Sequence, residues 1–234
     1  MSTIELPIPP GSPVGRLMVD GGDAVTISSN DRISVVGKTG SGKSYLARNL
    51  VWEPLDRVVF HDWKAQEHEE LNAPVLSTLD QVHEALFAES EEERLYKFVY
   101  VPEAGEHGLE AWDELCRLVY EKGDFHLIGD EIKGIYQQGN SVRAISDHHE
   151  KILTRGRSRG VGMTNLSQRP KKIPMECMSE AEHTFAFRLN LADDRKRLGE
   201  IFGSEHEDRL REIDSHRFLY YRIGMDEPRE AGPI

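Results

Sequence analysis

The sequence predicts an α/β fold in which a mainly parallel central sheet is flanked by helices on both faces. Three observations predict it. Short β-branched runs alternate with longer amphipathic stretches from about residue 33 to residue 222, the pattern of successive βαβ units. The first of these runs, RISVV, leads into the glycine-rich stretch Gly37-Lys38-Thr39-Gly40-Ser41-Gly42-Lys43-Ser44 and then into KSYLARNLV, which reads as a helix. A later apolar run, FHLIG, stops at two adjacent carboxylates, Asp130 and Glu131.

In chain order, ELPIPPGSP (5–13) is too proline-rich for a helix or a central strand, so residues 1–23 are expected as an N-terminal arm or edge segment. AVTISS (24–29) reads as an edge strand. Core strands are expected at 33–36, 58–61, 98–101, 126–128, 161–166, 184–189 and 218–222. TLDQVHEALF places Leu79, Val82 and Leu86 on one helical face, and ESEEER behind it reads as a solvated end. LEAWDELCRLVYE does the same with Leu109, Trp112, Leu115, Cys116 and Val119, which makes Cys116 a core residue. One domain spanning 24–224 follows, with 225–234 expected as a flexible tail.

The whole chain sets bounds on function. With 234 residues, 38% hydrophobic and 30% charged, it can bury the core of one globular domain. No apolar run approaches the roughly 20 residues that span a bilayer, the N-terminus has no secretory pattern, and two cysteines make no disulfide framework, so a cytoplasmic, membrane-free protein is expected. The net charge of −12 argues against general nucleic-acid stickiness, yet residues 151–175 carry seven basic side chains (Lys151, Arg155, Arg157, Arg159, Arg169, Lys171, Lys172) and no acidic one. The −12 total less that +7 leaves −19 on the remainder.

The glycine-rich stretch fits G-x-x-x-x-G-K-[ST] at every fixed position. Its glycines let backbone N–H groups turn inward on phosphate oxygens. Lys43 is expected to reach the β and γ phosphates, Ser44 to ligate Mg²⁺, and Tyr45 to border the same nucleotide. Asp130 would hold that Mg²⁺ through water, and Glu131 would polarise an attacking water, a pairing that suits hydrolysis of ATP. The expected fold is therefore a P-loop NTPase of the ASCE, RecA-like type. A guanine-reading N-K-x-D segment and an S-G-G-Q signature are both missing from the sequence, which sets aside GTP switches and transporter ATPases. A small-molecule P-loop kinase stays open on these two motifs, because RGRSRG imitates an arginine-bearing lid.

Two more segments carry a resemblance. Asp62-x-Lys64 follows the second core strand, and RGRSRGVGMTNLSQRP places an arginine cluster before a strand that ends in Ser167-Gln168-Arg169-Pro170. With the phosphate loop and Asp130-Glu131, this order resembles the FtsK–HerA superfamily of ring-forming DNA-pumping ATPases, most closely its small viral genome-packaging members. FAFRLNLADDRKRLGEIFG extends the match, so it runs from about Arg32 to Gly203. The resemblance departs from the family at Trp63, where proline is usual, and at Asn165, usually apolar. No winged-helix, membrane-anchor or nuclease segment is recognisable in these residues, which suggests a bare motor.

The resemblance implies ATP-driven translocation of double-stranded DNA without sequence preference, by a homo-oligomeric ring, hexamer or pentamer, that meets portal or capsid vertex proteins. It implies that Gln168 sits beside the γ-phosphate and senses it. It also implies that Arg157, 11 residues earlier, is an arginine finger reaching the neighbouring subunit's ATP, with Arg155 and Arg159 as rivals. Asp62 and Lys64 would position the nucleotide or the coupling elements. Lys133, Lys171 and Lys172 are the candidates for DNA contact. An ATP-gated DNA-binding or assembly scaffold is the remaining alternative. His148-His149 has no Cys/His partners at zinc spacing, and Trp52, Trp63 and Trp112 read as packing residues, Trp63 with some exposure.

Overall fold

The computed structural model describes residues 15–18 and 24–234. A hairpin of β1 (Gly15–Met18) and β2 (Ala24–Ile27) precedes β3 (Arg32–Val36), the phosphate loop, and α1 (Lys43–Ala47), which continues as a π-helical turn to Trp52. Next come β4 (Val58–His61), β5 (Val75–Leu76), α2 (Leu79–Phe87), β6 (Lys97–Tyr100), α3 (Leu109–Lys122) and β7 (His126–Gly129). The short α4 (Lys133–Tyr136) leads into a small ribbon of β8 (Gln137–Gln138) and β9 (Ser141–Val142), then α5 (Asp147–Arg155) and β10 (Gly162–Ser167). The chain ends with α6 (Glu176–Ser179), β11 (His183–Phe187), α7 (Ala192–Phe202), α8 (Glu207–Glu212), β12 (Phe218–Arg222) and β13 (Arg229–Ala231).

Nine strands form one sheet in the order β13-β12-β11-β3-β10-β7-β4-β6-β5. From β11 to β5 every neighbouring pair is parallel; β12 and β13 are added antiparallel. Strands β4, β7, β10 and β11 are buried at every residue, as a sheet covered on both faces requires. One face packs α2, α3 and α5 around Trp112, Leu115, Phe98 and Leu153. The other packs α1 and the β2 strand around Leu46, Trp52, Phe60 and Phe185. The expected P-loop NTPase fold is present, and β10 lies between the loop-bearing strand β3 and the carboxylate-bearing strand β7.

Local chemistry explains the helices that the sequence announces. Thr78 caps α2, accepting from the Gln81 backbone N–H while the Gln81 side chain returns to the Thr78 N–H. On α3 the face carrying Trp112, Leu115, Cys116 and Val119 is buried as expected, joined by Leu118.

Two expectations about the chain ends change. The 24–29 stretch gives β2, which pairs with β1 in its own two-stranded sheet and not at the edge of the main one, so the proposed 1–23 segment contributes a strand of its own. Residues 1–14 and 19–23 lie outside the described residues. The 225–234 tail is not loose over its length. It forms β13 on β12, buries Ala231, and donates from the Ile234 N–H to the His216 carbonyl at 3.1 Å. The strand is held by Glu230, which pairs with both Arg209 and Arg217.

Candidate nucleotide site

The phosphate loop hangs from two flanking strands. Gly37 N–H donates to the Ser167 carbonyl just past β3, and Lys38 N–H donates to that of Arg188. A Cβ on Gly37 would fall 2.6 Å from the Phe187 Cβ, so only glycine lets the loop pass this close to β11. Gly42 has a left-handed backbone, φ +106°, where the loop turns into α1. Lys43 is buried, 8% exposed, and its Nζ donates to the Lys38 carbonyl at 3.1 Å, folded back over the loop. Burial lowers its pKa while the charges of Glu131 and Asp130 oppose that shift. The Ser41 hydroxyl is buried in the loop without a hydrogen-bond partner.

Asp130 and Glu131 sit at the carboxyl end of β7, both 5% exposed. Burial pushes the Asp130 carboxyl up to about 7; Lys64 opposes this, while Glu67, Glu131 and Asp62 reinforce it. A buried cluster of carboxylates beside Ser44 and Lys43 is the donor set that a hard divalent cation such as Mg²⁺ suits, since the cation offsets their repulsion. Glu131 has a left-handed backbone, φ +48°, uncommon for a residue with a Cβ and costing about 1 kcal/mol or more. The turn is imposed from both sides, because Asp130 N–H donates to the His61 carbonyl and Ile132 N–H to that of Leu166. It aims the Glu131 carboxylate at the end of β10, where Oε1 accepts from the Gln168 backbone N–H at 3.2 Å and Oε2 from Lys64 Nζ at 3.1 Å.

Lys64 therefore touches the carboxylate expected to act on water. Asp62 does something else: fully buried, it accepts the backbone N–H groups of Gln66, Glu67 and His68 and pairs with the His68 ring. It shapes its own loop, which carries Lys64 to Glu131 and Glu67 to the cavity beside the phosphate loop. Trp63 is partly buried against the core, and its indole fills the space where a Gly134 Cβ would be. The sequence pattern contained no signal for Glu67; its place follows only from the Asp62 turn.

Gln168 lies one residue past β10, next to both β3 and β7. What engages Glu131 is its backbone N–H. The arginine cluster lies elsewhere. Arg155 ends α5 and Arg157 and Arg159 sit in the turn before β10, so they occupy the amino end of the strand whose carboxyl end meets Glu131. The six residues of β10 separate those ends by about 20 Å. Arg157 is 60% exposed and pairs with Glu182 at 3.0 Å and Asp31 at 3.7 Å. Arg159 is committed to α3, donating to the carbonyls of Tyr120 and Glu121 at 2.7 Å each and lying over the Tyr120 ring. That is a structural duty, which counts against it as a finger. Arg155 is exposed.

Among the DNA candidates, Lys171 is exposed, Lys172 donates to the Asn140 carbonyl at 2.9 Å, and Lys133 is half-buried in α4. All three lie on the Gln168 side of the sheet. The adjacent histidines part company: His148 pairs with Asp113, whereas His149 is buried and bonded to Trp112 and Tyr136.

No family model matches the chain. In sequence it is 28% identical over 174 residues to the DNA packaging ATPase P9 of Enterobacteria phage PRD1, covering 72% of this chain and 69% of the relative. In fold it is similar to the genome packaging NTPase B204 of Sulfolobus turreted icosahedral virus 2 in complex with AMPPCP, with a TM-score of 0.70, 16% identity, and coverage of 89% of this chain and 100% of that one. VirB4 of Thermoanaerobacter pseudethanolicus is a more distant likeness, with a TM-score of 0.59, 10% identity, and coverage of 92% and 94%. The resemblance to FtsK–HerA-type viral packaging ATPases thus stands on sequence as well as on fold.

Proposed function

We propose that this chain is an ATP hydrolase that drives double-stranded DNA into a viral capsid, working as a ring whose active sites are shared between neighbouring subunits. The observation that carries the reading is the convergence of Lys43, Asp130 and Glu131, with Glu131 held at the end of β10 by the Gln168 N–H. The likeness to packaging ATPases supports the DNA substrate and the ATP cofactor.

In the proposed reaction, Glu131 orients a water and takes its proton as the oxygen attacks the γ-phosphorus and the bond to the β-bridging oxygen breaks. Ser44, and Asp130 through water, would hold Mg²⁺, which would supply neutralisation of phosphate charge. Lys43 leaves the Lys38 carbonyl to meet the same oxygens, and the loop N–H groups from Gly37 to Ser44 cradle the rest. Gln168 links Glu131 to the turn bearing Lys171 and Lys172, so loss of the γ-phosphate has a direct route to the basic surface. That surface would grip DNA through its phosphates, and the negative remainder of the chain would keep DNA off the ring's exterior. Portal or capsid vertex proteins are the proposed docking partners.

A kinase lid is disfavoured by geometry, because the arginine cluster sits at the far edge of the sheet from its own phosphate loop. A scaffold would bind DNA without moving it. The discriminating experiment is ATP hydrolysis with and without double-stranded DNA, together with DNA displacement. Stimulation with movement supports the motor, and label transfer to a small acceptor supports the kinase.

Two predictions arise at this point. Lys64→Ala removes the cation bonded to Glu131 Oε2, so kcat should fall about tenfold with little change in nucleotide Kd, and Lys64→Arg should restore part of it. An unchanged kcat would leave Lys64 without a positioning role. Replacing Lys171 and Lys172 together by alanine should weaken binding of any duplex sequence and flatten the log–log salt dependence by roughly 2, with DNA-free hydrolysis within twofold. Equal loss of binding and basal hydrolysis would count against these two as the grip.

A further inference from the structure

Two glycines flank the turn that carries Asp130 and Glu131, and an indole ring presses on each. A Cβ on Gly129 would fall 2.7 Å from Cη2 of Trp112, and a Cβ on Gly134 would fall 2.6 Å from Cε2 of Trp63. Neither glycine has a left-handed backbone, so the space occupied by the rings, not the chain conformation, calls for glycine there. The His61 ring meets both indoles, its centroid 5.1 Å from that of Trp112 and 6.0 Å from that of Trp63. We infer that Trp63, His61 and Trp112 form an aromatic bracket that sets the aim of the Glu131 carboxylate, with Trp63 as its positioning residue. This rests on the reading of Glu131 as the group that orients the attacking water.

Three features carry it. The bracket grips the turn through the backbone as well as the rings: the Asp130 N–H donates to the His61 carbonyl at 3.0 Å, and the Gly134 N–H to that of Glu131 at 2.9 Å. His61 stands opposite Gly129 in the β4–β7 ladder, so its ring borders the gap that the missing side chain leaves for Trp112. Burial pushes the His61 pKa down to about 3, and the imidazole packs there as a neutral ring. Finally, Trp63 and Lys64 leave the same pinned loop. Asp62 accepts three backbone N–H groups of that loop, so the ring on Gly134 and the ammonium on Glu131 Oε2 are placed together. His107 closes the outer side of Trp63 in an edge contact at 4.8 Å.

The bracket answers a problem that the turn creates. Glu131 is left-handed, and the four residues of α4 behind it are too few to hold a helix in place by themselves. A planar ring laid on a glycine makes many close contacts at once and leaves the backbone beneath it little room to rotate. Trp112 is 1% exposed and belongs to the core, so that side of the bracket is fixed. Trp63 is only partly buried and lies on a loop. Its loss would free the turn without opening the core.

The test separates aim from binding. ATP hydrolysis, equilibrium binding of ATPγS and melting temperature would be measured for the wild-type chain, Trp63→Ala, Trp63→Phe, Gly134→Ala and the pair Trp63→Ala with Gly134→Ala. Trp63→Ala should lower kcat about tenfold or more with the ATPγS Kd within about threefold, because a misaimed carboxylate loses rate and not affinity. Trp63→Phe should recover roughly a third or more of the wild-type kcat, since a flat ring still covers Gly134. Gly134→Ala should also slow hydrolysis, because its methyl and the indole claim one space; in the pair that conflict is gone, and kcat should stay within about twofold of Trp63→Ala. A Trp63→Ala kcat within twofold of wild type, a Kd that rises in step with the fall in kcat, or losses that multiply in the pair would each overturn the bracket. Should Trp63→Ala fail to fold, a wild-type kcat in Gly134→Ala overturns it equally. Glu131→Gln as active as the wild type would instead refute the reading of Glu131 on which the bracket rests.

Discussion

Glu131→Gln should abolish steady-state ATP hydrolysis, lowering kcat by 10²–10⁴ while ATP still binds. The substitution keeps size and shape, and its carbonyl can still accept the Gln168 N–H that Oε1 accepts now. What it removes is the negative charge and the ability to take a proton from water. The amide also faces Lys64 Nζ with a donor or a neutral acceptor where a carboxylate stood. Phosphate release gives kcat, and equilibrium binding of ATP gives Kd. The phosphate loop is untouched, so Kd should stay within a few fold and the variant should accumulate as the ATP-bound form. A kcat within threefold of wild type would remove Glu131 from the chemistry.

Arg157→Ala should cost 10³–10⁵ in DNA-stimulated hydrolysis, the range measured for arginines donated to a neighbour's phosphoryl group. Stability should hardly respond. Its partners Glu182 and Asp31 are reached from a side chain that is 60% exposed, and exposed ion pairs of this kind contribute roughly 0–1 kcal/mol. Glu182 also keeps its closer pairing with Arg32, which donates to it from both backbone and side chain. An unchanged melting temperature beside a large kinetic loss would therefore mark a role in chemistry. Arg157→Lys should not rescue, because an ammonium lacks the planar fork that spans two phosphate oxygens. The same substitution at Arg159 should lower the melting temperature instead, since that side chain caps the carbonyls at the end of α3.

The parts of the molecule legible in the sequence are those whose chemistry is local. Strands β3, β4, β7, β10 and β11 are buried along nearly their whole length, so each leaves a short run of mainly apolar, small or β-branched residues, interrupted by Ser34 in β3, Asn165 in β10 and Thr184 in β11. The phosphate loop is legible because backbone geometry demands glycine at fixed offsets, and Asp130-Glu131 because two acids interrupt an apolar run. Strand β13 left no such trace. Its residues, Arg229, Glu230 and Ala231, form a ladder and ion pairs with β12 and its flanks, and none of those contacts imposes a hydrophobic period. Strand β2 was legible as a strand, but its pairing with β1 in a separate hairpin was not.

Roles that depend on distant partners were the least legible. Asp62 and Lys64 are two residues apart and looked alike in function, yet Asp62 closes its own loop and Lys64 crosses to Glu131, 67 positions on. Arg157 was set apart from its rivals Arg155 and Arg159 only by lying 11 residues before Gln168. Only the fold shows that one is committed to α3 and another is exposed at the amino end of β10, about 20 Å from the Glu131 end of that strand. That separation is also the physical reason to look to a second subunit: a finger there can serve only another chain's nucleotide.

Mixing two inactive variants tests this most directly. Glu131→Gln subunits retain the finger, and Arg157→Ala subunits retain the water-orienting carboxylate, so a boundary with the correct order of the two holds one complete site. Co-assembled near equal proportions in the presence of double-stranded DNA, they should recover hydrolysis well above either variant alone, with a maximum at intermediate ratios. A mixture no more active than its parts at any ratio would contradict the shared site, and with it the proposal that ATP hydrolysis here is coupled between neighbours.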